Sequence, residues 1–168
     1  MSETNPYDGF LDGRPVEEIL ASTPAALAEA LTAIGNGHLS TPPAPGKWSA
    51  AEILCHLADC ELVFGFRLRQ TLAEEGPTIQ PFDQEKWAAA YRGVAAGHAL
   101  EVFAALRGWN LRLLENALPA AAARPTFHPE RGAMTFQTIV ETMAGHDLNH
   151  LGQFRRLAAS FPPGAASS

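Results

Sequence analysis

The stretch WSAAEILCHLADCELVFGFRLRQTLAEEGP, residues 48–77, decides the fold class. Ser49 and Glu52 stand three apart ahead of an apolar run, which is the pattern of a capping box. The Ser hydroxyl accepts from the amide three residues on, and the Glu carboxylate reaches back to the cap amide. Beyond them Ile53, His56, Cys60 and Phe64 recur at spacings of three and four, and nothing breaks the run before Gly76-Pro77. A helix from Ser49 to about Glu75 is about 40 Å long at 1.5 Å per residue, enough to run the length of a bundle.

Three more segments read the same way. The first opens near Pro15 and runs through Val16, Ile19 and Leu20. It is expected to break at Ser22-Thr23-Pro24, then resume through Leu27, Leu31 and Ile34 until Gly35 and Gly37 end it. Another runs from about Ala99 through Val102, Leu106, Trp109 and Leu113 to Pro119. The last is capped by Thr135 and passes Ile139, Met143 and Leu151 to about Ala159. A short helix capped by Asp83 is expected in the less regular stretch 77–97. Val/Ile/Thr-rich alternation is missing, so few strands are expected, and the stretch 120–134 reads as a connection between helices. Four long amphipathic helices make an all-α, four-helix bundle, and the long second and third connections leave its threading open.

With 168 residues, 46% of them hydrophobic, the chain can bury one full core rather than two. Its net charge is −6 and no Lys/Arg cluster could follow a nucleic-acid backbone, so nucleic acid is not an expected partner. The N-terminus lacks a charged and then apolar leader, and no run reaches the roughly 18 apolar residues of a membrane span. The expectation is a soluble, cytoplasmic protein with no membrane partner. Cys55 and Cys60, five apart on one helix, point about 140° apart and read as reduced, buried thiols.

His146-Asp147-Leu148-Asn149-His150 sets two imidazoles about 40° apart on one helix face, one turn above the other. Composition alone would produce about 0.2 such pairs in this chain, so the spacing is weak evidence by itself. Position adds weight. The apolar stripe of the last helix passes through Ile139, Met143, His146, His150 and Leu157, and His56 stands on the corresponding stripe of residues 49–75. Each buried ring has a donor and an acceptor to satisfy, and a shared ion would take one nitrogen from each. An all-His set suits Zn²⁺, Ni²⁺, Fe²⁺ or Cu²⁺, and three ligands leave a position open. Glu52, Asp59, Asp147 and Asn149 are near enough in sequence to support the outer ring nitrogens. The alternative is a set of core or interface histidines tied to carboxylates, with His56 unrelated to the pair. His38, His98 and His128 read as solvated loop residues.

Together Trp48-Ser49-x-x-Glu52-x-x-x-His56-Leu57-x-Asp59 and His146-Asp147-x-x-His150-x-x-Gln153 resemble the DinB/YfiT-like superfamily, over most of the chain from Gly13-Arg14-Pro15 onward. The resemblance implies a single DinB-like domain over residues 1–168, with 1–10 and 161–168 flexible. It also implies an up-down-down-up threading and a divalent metal, zinc or nickel, on His56, His146 and His150. Members are described as metal-dependent hydrolases or as transferases and isomerases using a low-molecular-weight thiol such as mycothiol or bacillithiol. A small-molecule substrate and a homodimer are implied as well.

Two functions follow. The first is an enzyme in which water or a thiol cosubstrate, made nucleophilic at the open position, attacks a small molecule; Asp59, Glu61 and Asp83 are the candidate general bases, although surface or capping roles are commoner for such residues. The second is a non-catalytic metal-binding scaffold or dimerising protein, with Phe64, Phe66, Trp109 and Phe154 as interface or core. A fourth protein ligand such as Cys60 would favour the scaffold, and a cavity over the ion the enzyme.

Overall fold

The computed structural model describes residues 4–161. Its long helices are α1 (Val16–Ile34), α2 (Ala50–Ala73), α4 (Ala96–Ala117) and α5 (Phe136–Ser160), with the short α3 (Gln84–Ala88) between α2 and α4. The expected starts are built as read. Glu52 N–H donates to Ser49 Oγ at 3.3 Å, and Ser49 N–H donates to Glu52 Oε2 at 2.7 Å. Asp83 caps α3 and Thr135 caps α5.

Two local features depart from the sequence reading. The first is that α1 does not break at Ser22-Thr23-Pro24 but continues with Pro24 inside it. Proline has no N–H to give to the carbonyl four residues back, which normally costs a helix about 3 kcal/mol. Here the bereft Leu20 carbonyl accepts from Arg107 Nη1 at 2.9 Å instead. The second is a hairpin in the stretch read as a connection, β1 (Pro125–His128) paired antiparallel with β2 (Gly132–Thr135). Strands of four residues are too short for alternation to stand out, and β1 draws further support from residues 77–79. Phe127 N–H donates to the Pro77 carbonyl and Ile79 N–H to the Phe127 carbonyl, both at 2.9 Å.

Two core clusters set the directions of the long helices. One unites the C-terminal halves of α1 and α5 (Leu31, Ile34, Phe154, Leu157) with the N-terminal halves of α2 and α4 (Ile53, Leu57, Ala99, Phe103). The other joins Ile19, Leu20, Ile139 and Met143 to Phe64, Leu68 and Leu114, the opposite halves of the same helices. Hence α1 and α5 run one way and α2 and α4 the other, an up-down-down-up four-helix bundle in which α2 packs on α4 and α5. Phe64 and Phe154 belong to the core, whereas Phe66 and Trp109 are exposed. Among the described residues, no helix is long and apolar enough to cross a membrane.

A polar layer lies between the clusters. Arg107, 1% exposed, donates from Nη1 to Asp147 Oδ2 at 2.6 Å and from Nη2 to Glu61 Oε2 at 2.8 Å. Thr23 Oγ1 donates to Asp147 Oδ2 at 2.8 Å and Asn110 Nδ2 to Glu61 Oε1 at 2.8 Å. Burial penalises the Arg107 charge, but Asp147 and Glu61 more than offset this and hold its pKa above the usual value.

Of the termini expected to be flexible, residues 1–3 and 162–168 lie outside the described residues. Residues 4–10 pack against α5, with Asn5 buried and a 3-10 turn at Asp8–Phe10. Gly145 makes this approach possible. A Cβ there would stand 2.5 Å from the Tyr7 carbonyl oxygen, a backbone atom that cannot turn aside. Gly145→Ala is therefore expected to lift the N-terminal segment and to destabilise the protein by about 1–3 kcal/mol. In a helix with free space the same change stabilises by about 1 kcal/mol, so the sign of the shift in urea midpoint decides whether the contact exists.

Candidate functional site

Packing of α2 against α5 brings together the three histidines singled out in the sequence. His56 Nε2 stands 3.2 Å from His146 Nε2, and His150 Nε2 stands 3.1 Å from the same atom. All three rings are buried. A neutral imidazole nitrogen carries either one proton or one lone pair, so His146 Nε2 can complete a hydrogen bond with only one of its two neighbours. A cation accepting a lone pair from each ring satisfies all three. Bonds of 2.0–2.1 Å at tetrahedral angles place ligand nitrogens about 3.3 Å apart, close to the observed spacings. The residues present fit a divalent metal.

Electrostatics agree with the geometry. Burial, reinforced by His150, lowers the His56 pKa to about 4. Burial likewise pulls His146 well below the usual histidine value, with His150 and His56 adding to it, and lowers His150. At neutral pH the rings are uncharged and their lone pairs are available.

The supporting residues are mostly not those expected. His150 donates its Nδ1–H to Gln153 Oε1 at 2.9 Å, which leaves the Nε2 facing His146 with a lone pair. Glu52 is taken by the Ser49 cap and Asp59 accepts from the Tyr91 hydroxyl at 2.7 Å. Asp147 turns away from His146 to Arg107, because adjacent helical residues point about 100° apart. No hydrogen bond ties Asn149 to the three rings. The Tyr7 and Phe64 rings meet His146 edge-on at centroid distances of 5.0 and 6.1 Å, and Trp48 lies 5.1 Å from His56.

Among the candidate general bases, Glu61 is excluded. It is 1% exposed and both its carboxylate oxygens are committed, to Arg107 and Asn110. Asp83 is exposed, and its hydrogen bonds with Lys86 keep its carboxyl below the usual range, which makes it a weak base. Cys55 and Cys60 are free and buried. Cys60 Sγ lies 3.5 Å from His56 Nε2 and 3.9 Å from His146 Nε2, and burial pushes its thiol pKa up, so it is a protonated neighbour of the rings.

A cavity of about 390 Å³ opens beside the rings, with His146 and Cys60 in its wall. Tyr7, Arg67, His128 and Arg131 also line it, none of which the sequence reading assigned to a site. His128, expected in solvent, is 2% exposed, because alternation along β1 turns it and Thr126 inward. His38 stacks on Phe161 and His98 is exposed on α4, so neither joins the site.

Comparison with known proteins agrees with this architecture. The sequence profile of the DinB superfamily matches residues 19–154. A protein of Oceanobacillus iheyensis named "putative metal-dependent hydrolase" is 28% identical over 135 residues, covering 80% of this chain and 78% of that protein. YfiT of Bacillus subtilis, named in the same words, is 25% identical over 144 residues, covering 84% and 81%. The solved structure of YfiT, described as an unusual four-helix bundle topology, superposes with a TM-score of 0.79 at 24% sequence identity, over 86% of this chain and 84% of that one.

Proposed function

The chain belongs to the DinB superfamily, and from that premise we propose that it is a metal-dependent enzyme acting on a small molecule, with His56, His146 and His150 holding a divalent transition-metal ion. The observation that carries this reading is the convergence of three buried, neutral imidazoles, with the Nε2 atoms of His56 and His150 at 3.2 and 3.1 Å from that of His146, beside an open cavity. Such an ion, zinc or nickel, would supply Lewis acidity when bound and would make a water or a low-molecular-weight thiol nucleophilic near neutral pH.

The chain's own residues do the rest. Gln153 fixes the orientation of His150, and Tyr7 and Phe64 keep solvent from the flank of His146. The cavity admits a small substrate on the side of His146 and Cys60. Hydrolysis is the reaction that the relatives' names favour. Thiol transfer uses the same open position, and a cytoplasmic location, where such thiols are abundant, suits it. The cavity argues against a purely structural ion, since a structural site is closed by a fourth ligand.

Metal analysis of the purified protein tests the reading. About one ion per chain is expected for the wild type and for Cys60→Ser, with loss of the ion in His56→Ala and His150→Ala. Full retention by both histidine variants would sink the site, and loss in Cys60→Ser would turn it into a closed, scaffold-type one.

A homodimer is also proposed, supported by the outer face of α2 and α4. Leu62 and Phe66 on α2 and Val102 and Trp109 on α4 are exposed at 53%, 61%, 38% and 67%, large apolar side chains of the kind that an association surface would cover. Sedimentation should show a dimer that Trp109→Glu converts to a monomer; a monomeric wild type would end that part of the reading.

A further inference from the structure

The molecule buries two arginines very differently. Arg107 has two carboxylates. Arg67, on α2, is 7% exposed and forms no ion pair among the described residues. Its Nη2 donates to the Gln80 carbonyl at 2.7 Å, while its Nε is buried with no partner. Burial lowers its pKa, a second cation, Arg131, lowers it further, and the Glu130 carboxylate offsets this only in part. A buried charge without a counter-charge is costly, and proteins keep one where something else supplies the opposite sign.

Arg131 sits in the turn of the hairpin, lines the same cavity and likewise has no ion pair among the described residues. His128 adds a third group. Its Nδ1 accepts from the Glu130 N–H at 3.2 Å, so the neutral ring carries its proton on Nε2 as a donor. The carboxylates of the lining, Asp83 and Glu130, are both exposed to solvent, and Asp83 is already paired with Lys86 at 3.0 Å. In a chain of net charge −6, the two arginines of this lining thus carry charges that no ion pair among the described residues meets. They share about 390 Å³ with His146 and Cys60.

We propose that Arg67 and Arg131 bind an anionic oxyacid group of the substrate, a carboxylate or a phosphate, and so hold its reacting centre toward the histidines. The proposal rests on the metal-enzyme reading for the reacting end of the substrate but not for the anion subsite itself. A shared anion would neutralise the unpaired Arg67 charge and relieve its repulsion with Arg131. The substrate class is then a small acid rather than a neutral ester or amide.

Calorimetric titration with succinate, inorganic phosphate and uncharged succinamide provides the test. The wild type should bind succinate or phosphate at least about 10-fold more tightly than succinamide, and the tighter of the two identifies the oxyacid. Arg131→Gln, at a partly exposed turn, should remove about 10-fold of that preference, and Arg67→Met should act likewise if it folds. Equal binding of all three probes, or a preference undiminished in Arg131→Gln, overturns the proposal. His150→Ala separates the two readings. Preference for the anion should persist there without metal, because His150 does not line this cavity; loss of the preference there would mean that the anion was binding the ion. Metal bound without any anion preference would defeat this inference alone, and anion preference in a protein that never binds metal would defeat the metal reading alone.

Discussion

Replacing Arg107 with Met is expected to lower the unfolding free energy by about 3–5 kcal/mol, the usual consequence of deleting one partner of a buried charge cluster. The change strands two carboxylates. Asp147 and Glu61 are 2% and 1% exposed, and Arg107 is the only cation within ion-pair distance of either among the described residues. It also removes the donor that serves the Leu20 carbonyl, which Pro24 cannot satisfy. Domains of this size are typically stable by about 5–15 kcal/mol, so the variant should show a large fall in urea midpoint. Adding Glu61→Gln and Asp147→Asn to Arg107→Met should recover part of the loss, because neutral amides are cheaper to bury than carboxylates. A loss under about 1 kcal/mol in the single variant would show that water reaches this layer and that the charges are not as isolated as their burial implies.

Loading the metal is expected to raise the melting temperature by roughly 8–16 °C, and chelation to reverse it. An ion that binds only the folded chain stabilises it by about 4 kcal/mol at a free concentration 1,000-fold above its dissociation constant. Each kcal/mol shifts the midpoint of a domain of this length by about 2–4 °C. His146 is the residue to remove, since its Nε2 touches those of both other rings. In His146→Ala the melting temperature should no longer respond to zinc or nickel. No response in the wild type to zinc, nickel, cobalt or manganese would leave the three rings as an unusual core cluster and nothing more.

The two predictions concern neighbouring layers of the bundle that were unequally legible in the sequence. The histidines could be read because each lies on an apolar stripe whose period is local, His146 and His150 on one and His56 on another, so that two stripes facing one core had to converge. The arginine layer could not. Glu61 reads as one more solvent-facing carboxylate in a helix rich in them, and Asp147 as a companion of His146. Their common partner lies 46 and 40 residues away, on a helix whose rotation no local pattern sets. The same reason explains the missed continuity of α1: Pro24 is tolerated because of Arg107, 83 positions further on. His128 was misjudged on short-range grounds, since four residues of strand cannot display a period.

By itself, then, the sequence determined the four long helical segments, the caps at Ser49, Asp83 and Thr135, and the three imidazoles aimed at one interior. All are properties of residues within a few turns of one another, where spacing and chemistry act directly. Tertiary structure alone decided the rest: the ion cluster between the two cores, and the cavity in which Arg67, Arg131 and His128 meet His146. Those depend on how helices rotate and on where a hairpin lands. Such choices minimise the free energy of the whole packed chain and leave no mark on any one stretch of it.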